Sequence, residues 1–212
     1  MFQPPIFRES RVDQIHNLMR SSPFASLSTY QSGRLEMDHI PMMIHEDLSE
    51  KGVLRGHIAR GNPICRLEEN SHQALVVFQG PQTYISPGWY PSKEEHGKAV
   101  PTWNYVVAHA RGQLKLVKDN DWLLEHLASL SHQHEAQREK PWTLSDAPDD
   151  FITRQLKGIV GLEIEIEELD AVWKASQNKD ARDKAGIVTG LRGEGTANAE
   201  AFAQSIQANM SD

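Results

Sequence analysis

GLEIEIEEL, residues 161–169, alternates apolar and acidic side chains almost without a break. Successive side chains of a strand point to opposite faces, so Leu162, Ile164 and Ile166 belong on a buried face and the glutamates on a wet one. The stretch predicts a half-buried strand. AVWKASQ, residues 171–177, follows as its expected partner.

Working back from this strand, further strands are expected at Phe24–Tyr30, LEMDHIPMMIHED (35–47), VLRGHIAR (53–60), the short, strongly apolar QALVVFQG (73–80), QTYIS (82–86) and TWNYVVAHARGQLKLV (102–117). The alternation changes phase near Pro41, where a bulge or an edge position is expected because proline donates nothing to a ladder. Gly80-Pro81 separates two of the strands, and Gly112 marks an expected break in the last. Gln31-Ser32-Gly33-Arg34 and Leu48–Gly52 read as turns. Helical periodicity places Val12, Ile15, Leu18 and Met19 on one stripe of residues 8–20, ended by Ser21-Ser22-Pro23. A helix over 120–134 carries Leu123, Leu127 and Leu130, with Asn120 as its cap. Another runs from Pro148 to Lys157. Beyond Asp180 a helix, a glycine-rich break (GLRGEG, 190–195) and a last helix are expected, the last with Ala199, Phe202, Ala203, Ile206 and Met210 on one side. Pro63 opens a short helix capped by Asn62. Pro87 to Pro101 is too polar and too rich in proline and glycine for regular structure, and long loops are often functional. A run of antiparallel strands with helices inserted and appended gives a mainly β, α+β fold, a barrel or sandwich.

The bulk composition narrows the function. The 212 residues suit one large domain, or one domain with an appended helical segment. A formal net charge of −7 argues against DNA phosphates as the main ligand, although a local basic pocket for one small anion stays open. Cys65 is the single cysteine, so no intramolecular disulfide forms, which suits a reducing cytoplasm. The N-terminal MFQPPIFRES does not read as a signal peptide, and no apolar run reaches the ~18 residues of a spanning helix. A soluble cytoplasmic protein is expected.

Glycine-rich dinucleotide and Walker-type phosphate loops are missing, as are a nucleophile elbow and an H-E-x-x-H zinc helix. His126, His132 and His134 lack the spacing that puts two imidazoles on one helical face. His39, His45 and His57 lie on neighbouring strands without a carboxylate at ligand spacing, so no metal is expected. No recognition helix rich in Arg, Lys, Asn or Gln stands out, and direct DNA binding is weakly supported. RGHIARGNP is more informative. Arg60 and Asn62, between a strand end and a short helix, supply a guanidinium and oriented N–H groups that suit a phosphate. YISPGWYPS, VPTWNY and VWKASQNK interleave aromatics with hydroxyls, amides and a lysine, as a flavin ring requires.

Taken together, HIP (39–41), GHIARGNP (56–63), YISPGWYPSK (84–93), VPTWNY (100–105), the IVGLEIEIEEL strand and KASQN (174–178) resemble the PaiB family of FMN-binding proteins, described as negative transcriptional regulators. The resemblance spans about residues 1–191 and leaves 192–212 as a C-terminal helical extension. It implies a six-stranded antiparallel split β-barrel of the pyridoxamine-oxidase type, a homodimer with FMN in each cleft between subunits. Carried over by position, Arg60 and Asn62 would meet the phosphate, with His57 and Ala59 beside it, and His39 and Ile40 would line the ring. Thr102, Trp103, Asn104, Lys174, Ser176 and Gln177 would close the site, some from the partner subunit. Gly61 stands where the family commonly has alanine, and Val172-Trp173 replaces a Gly-Lys-Phe-like stretch. The expected role is a flavin-linked transcriptional regulator or redox sensor. The alternatives are a flavin-dependent oxidoreductase acting on a small substrate, with His39 or Tyr90 the first acid–base groups to test, and a haem-binding protein on the same barrel.

Overall fold

The computed structural model describes residues 1–31, 33–66 and 72–208. Ser32, in the first expected turn, and Met210, on the last expected helical stripe, lie outside them. In chain order the strands are β1 (Arg8–Glu9), β2 (Phe24–Gln31), β3 (Arg34–Pro41), β4 (Met43–His45), β5 (Val53–Ala59), β6 (His72–Ile85), β7 (Thr102–Val117) and β8 (Ile159–Lys174). The helices are α1 (Val12–Ser21), α2 (Ser92–His96), α3 (Asn120–Glu135), α4 (Asp149–Leu156), α5 (Ala181–Glu194) and α6 (Ala197–Ala208). The sheet runs β3-β2-β6-β7-β8-β5-β4, with β1 pairing β8 outside this path. Every pairing whose register is resolved is antiparallel. This is the mainly β, α+β class expected.

The chain forms two compact units, one of His16–Phe78 with His109–Leu169, the other of Met1–Ile15, Gln79–Ala108 and Asp170–Asp212. In the first, Leu27, Leu54, Val76, Phe78, Leu162 and Ile164 are fully buried, so the alternation in 161–169 is read directly as an inward face. The sheet curls in this unit until its β3 end meets β5. The close approach rests on Gly56, where a Cβ would collide with Met42 Sδ and crowd the Pro41 carbonyl. The phase change near Pro41 is a break between β3 and β4. Met42 is buried there, and its N–H donates to the Pro23 carbonyl at 2.8 Å.

Several expectations are corrected. AVWK is not a partner strand but the end of β8, extended by pairing of Ala171 and Val172 with β1. Gly112 does not break β7; a Cβ there would collide with the Glu165 carbonyl, so the glycine admits the β8 backbone. Gly80-Pro81 does not divide β6. The β2-paired stretch is Ala74–Val77, so the missing proline N–H removes no bond to β2. The cap of α3 is Asp119, which accepts from the Trp122 N–H at 2.7 Å, rather than Asn120.

In the second unit the stretch expected to be irregular contains α2, which starts after Pro91 and ends on Gly97 in the left-handed region (φ 66°). Asp183 of α5 anchors it, accepting from the Ser92 N–H at 3.1 Å and the Ser92 hydroxyl at 2.7 Å. Trp89 lies on α5 where Gly186 and Gly190 leave room; a Cβ at either position would collide with it. Helix α5 therefore continues through Gly190 and Gly193, and the break falls only after Glu194. Ile187 and Leu191 of α5, and Phe202, Ala203 and Ile206 of α6, are buried where the two helices pack. Among the described residues no helix is long and apolar enough to cross a membrane.

Candidate functional site

The residues singled out from the sequence fall into two groups, one in each unit. The first surrounds the turn after β5. The Arg60 N–H donates to the Gly158 carbonyl at 2.8 Å, and the Asn62 N–H to the Ala59 carbonyl at 2.9 Å. The Arg60 guanidinium is pinned from two sides, Nε donating to the Lys157 carbonyl at 2.8 Å and Nη2 to the Ile159 carbonyl at 3.0 Å. Nη1 has no protein partner among the described residues, and Arg60 as a whole is exposed. Asn62 caps the one-turn helix Pro63–Arg66, its Oδ1 accepting from the Ile64 N–H at 2.9 Å, while its Nδ2 donates to Asp38 at 2.6 Å. Its side chain is thus committed to shaping the turn.

His39 and Ile40 are neighbours on β3 and point to opposite faces. Ile40 is 4% exposed, in the core. His39 is exposed, with Nδ1 3.2 Å from the Ser26 hydroxyl and its ring edge-on to Phe24. His57 does not face the Arg60 turn; its Nδ1 lies 3.2 Å from Nε2 of His126 on α3. A groove of about 400 Å³ next to Asp38 is lined by Gln31, Arg34, Glu36 and Arg66. Sequence reasoning missed Arg66, although three residues beyond Pro63 is one turn of a tight helix and brings it back beside the loop.

The second group joins the start of β7 to the end of β8. The Lys174 ammonium donates to the Thr102 hydroxyl at 2.5 Å, its single partner among the described residues, and burial lowers its pKa. A half-buried cation with one neutral partner is suited to an anion or a carbonyl oxygen. Asn104, 0% exposed, donates to the Ser176 hydroxyl at 2.9 Å, and that hydroxyl lies 3.3 Å from Asn104 Oδ1. Ser176 is held at φ 59°, the one non-glycine residue at positive φ among those described. Gln177 braces the same loop, accepting from the Ala175 N–H at 2.8 Å and donating to the Trp173 carbonyl. Trp103 is 53% exposed, with its ring edge against Tyr84. Beside it runs a groove of about 410 Å³ whose walls include Gln79, Gln82 and Tyr105. A cation, a hydroxyl, an aromatic wall and two amides suit a planar ligand bearing anionic or carbonyl groups.

Tyr90 is 2% exposed, with its hydroxyl unpartnered among the described residues and the Lys179 ammonium 4.4 Å from its ring centre, so it is closed to a substrate. Burial pushes the Cys65 thiol pKa up, the opposite of what a nucleophile needs. Among the described residues no three His, Cys, Asp or Glu side chains gather as metal ligands would.

Comparison with known proteins bears on these groups. The family model described as "Putative FMN-binding domain" matches residues 1–168. The protease synthase and sporulation protein PAI 2 of Bacillus subtilis is 31% identical over 207 residues, covering 98% of this chain and 97% of its own. An uncharacterized protein of Emericella nidulans is also 31% identical, covering 92% of each chain. Among solved structures, the FAD and heme binding protein from Mycobacterium smegmatis superposes with a TM-score of 0.59 at 15% identity, covering 86% of this chain and 80% of its own. The flavocytochrome Anf3 from Azotobacter vinelandii gives 0.57 at 10% identity, covering 84% of this chain and 75% of its own. At such identities the likeness establishes the split-barrel fold and nothing finer.

Proposed function

Since the chain belongs to the PaiB family of FMN-binding domains and FMN is its cofactor, we propose that it is a homodimeric flavoprotein whose bound FMN reports redox state to a transcriptional output. Bound FMN supplies reversible electron-accepting chemistry, and the protein's part is to hold and orient it. The observation that carries the site is Arg60. Two backbone carbonyls fix its guanidinium, and the remaining nitrogen has no protein partner among the described residues, as suits a phosphate-binding arginine. Ala59 and the Asn62 turn set the backbone around it, and His39 and Ile40 come from the neighbouring β3. His57, whose ring is given to His126, stands behind the site. Thr102 and Lys174 offer a hydroxyl and an ammonium to the ring or its side chain, Trp103 offers an apolar wall, and Asn104, Ser176 and Gln177 fix the loop that presents Lys174. In a dimer these two groups need not come from the same subunit. The relative's description as a sporulation protein supports a regulatory output.

A second reading, a flavin-dependent oxidoreductase, is favoured by one observation: His39 is an exposed imidazole whose orientation is fixed by Ser26. With Tyr90 buried, His39 is the acid–base group to test.

The test is a visible absorption spectrum of freshly purified protein, followed by FMN titration of wild type, Arg60→Ala and Lys174→Met. A yellow protein that bleaches with dithionite is expected. Arg60→Ala should lose about 1.5–3 kcal/mol of FMN binding, roughly one to two decades in affinity. Wild-type affinity in both variants would overturn the site. Turnover of a nicotinamide cofactor that His39→Gln abolishes would favour the enzyme.

A further inference from the structure

Helix α3 is fastened to the sheet by an unusual set of side chains. Gly161 of β8 leaves a gap that the Trp122 ring fills, since a Cβ there would collide with it. His126 stacks on Trp122, with ring centroids 5.3 Å apart and planes 20° from parallel. Its Nε2 faces His57 Nδ1 of β5 at 3.2 Å. One of these nitrogens must carry the proton and the other accept it, so the contact exists only while at least one ring is neutral. His126 is 2% exposed, and its other nitrogen, Nδ1, is buried with no partner among the described residues. His45 of β4 likewise buries an unpartnered Nε2. Both strands and the helix thus bring imidazoles to one seam.

The charged groups facing this seam are few. Arg55 of β5 lies over Trp122, with its guanidinium carbon 5.3 Å from the ring centroid. It is bound by Glu163 of β8 at 3.0 Å and approached by Glu125 of α3 at 3.9 Å. Asp47, just beyond β4, also acts on His45. Glu125 and Glu163, engaged with Arg55, also act on His45, and among the described residues neither His57 nor His126 has a carboxylate partner. A groove of about 490 Å³ runs along the same seam between β4 and α3, lined by Met43, Ile44, His45, Ser129 and His132.

We propose that the His57–His126 contact is a proton-operated latch, closed at neutral pH, which mild acid opens to release α3 from the sheet. This goes beyond flavin binding and does not depend on it. When both rings are protonated, two N–H groups face each other beside Arg55, and the stack on Trp122 carries a buried charge. Burial, then the neighbouring His57, His45 and Arg55, push the His126 pKa down to about 4. Burial lowers that of His57 as well, and burial followed by Arg55 lowers that of His45. The sign follows from which form binds the proton. Released, each histidine titrates near its ordinary value of about 6.5, whereas in the closed form His126 resists protonation to about 4. The latch is therefore fully closed above about pH 6.5, and through His126 its grip falls by up to tenfold per pH unit between 6.5 and 4, with His57 and His45 acting in the same direction.

The test is hydrogen–deuterium exchange of the full chain at pH 7.5 and 5.0, corrected for intrinsic exchange rates, comparing peptides of α3 with peptides of β8. The opening constant of α3 should rise roughly tenfold or more at the lower pH while β8 stays protected. His126→Phe, which keeps a ring on Trp122 but cannot be protonated, should flatten the response. A wild-type α3 indifferent to pH, or a variant that responds as wild type does, would overturn the latch. Should the variant fail to fold, NMR titration of the wild-type imidazoles decides. Titration of His126 near 6.5 overturns the proposal, and titration below 5 with loss of α3 signals supports it.

Discussion

Asn104 and Ser176 show how a site is held at the scale of single residues. Both side chains are buried and satisfy each other across 72 positions of sequence. Ser176 also carries a left-handed backbone that costs about 1–3 kcal/mol and persists only because its surroundings fix it. Replacing Asn104 by Ala leaves the Ser176 hydroxyl buried without its partner. A loss of about 1–3 kcal/mol in denaturant unfolding is expected, with weakened FMN retention as the loop presenting Lys174 relaxes. Stability within a few tenths of a kcal/mol of wild type would show that this pair does not hold the loop. The KASQN and VPTWNY motifs made these residue types legible from the sequence, but not their partners, because hydrogen bonds between distant segments leave no local pattern. His57 illustrates the same limit. The family resemblance implied a place for it beside the flavin phosphate. A strand reverses its side chains at each step, and nothing in the local sequence says that a helix 69 residues later supplies His126.

At the scale of elements, period-two alternation was the most readable signal, and β8 follows it closely. Several of the misreadings, at Gly80-Pro81, Gly112 and the 190–195 segment, came at glycines and prolines taken as punctuation. Gly112 and Gly161 sit inside strands because a backbone and a tryptophan come close there, and Gly190 sits inside α5 because Trp89 does. Propensity rules cannot separate a glycine that ends an element from one that makes room for a neighbour. The same reasoning makes Gly161 the best probe of how α3 docks. In Gly161→Val the new side chain would take the space of the Trp122 ring, an overpacking expected to cost about 1–3 kcal/mol. At pH 7.5, α3 should then exchange its amides faster than in wild type while the β2–β3 hairpin is unaffected. Wild-type protection of α3 in this variant would mean that Trp122 is not the anchor.

At the scale of the whole molecule, the outer face of β2 and β3 exposes several large apolar side chains. Phe24, Tyr30, Leu35 and Met37 are 68%, 61%, 75% and 61% exposed. The register sets Tyr30 beside Leu35, Ser28 beside Met37 and Phe24 beside Pro41, so these apolar side chains share one face, interrupted by Ser28 and the Ser26–His39 pair. Such an exposed apolar face suits the second copy of the chain that the proposed dimer requires. A two-fold interface uses each residue twice, so every substitution removes two buried contacts. Burying a leucine or methionine contributes roughly 1.5–3 kcal/mol, and a glutamate in its place adds an unpaired charge. Leu35→Glu combined with Met37→Glu should therefore leave a folded monomer by sedimentation velocity at concentrations where the wild type sediments as a dimer. The inward faces of β2 and β3 are untouched, so circular dichroism should not change. If FMN is held between subunits, the same variant should lose most of its flavin even though Arg60 and Lys174 are intact. A monomeric variant that keeps wild-type FMN affinity would place both site groups within one chain, and a wild type that sediments as a monomer would remove the dimer altogether.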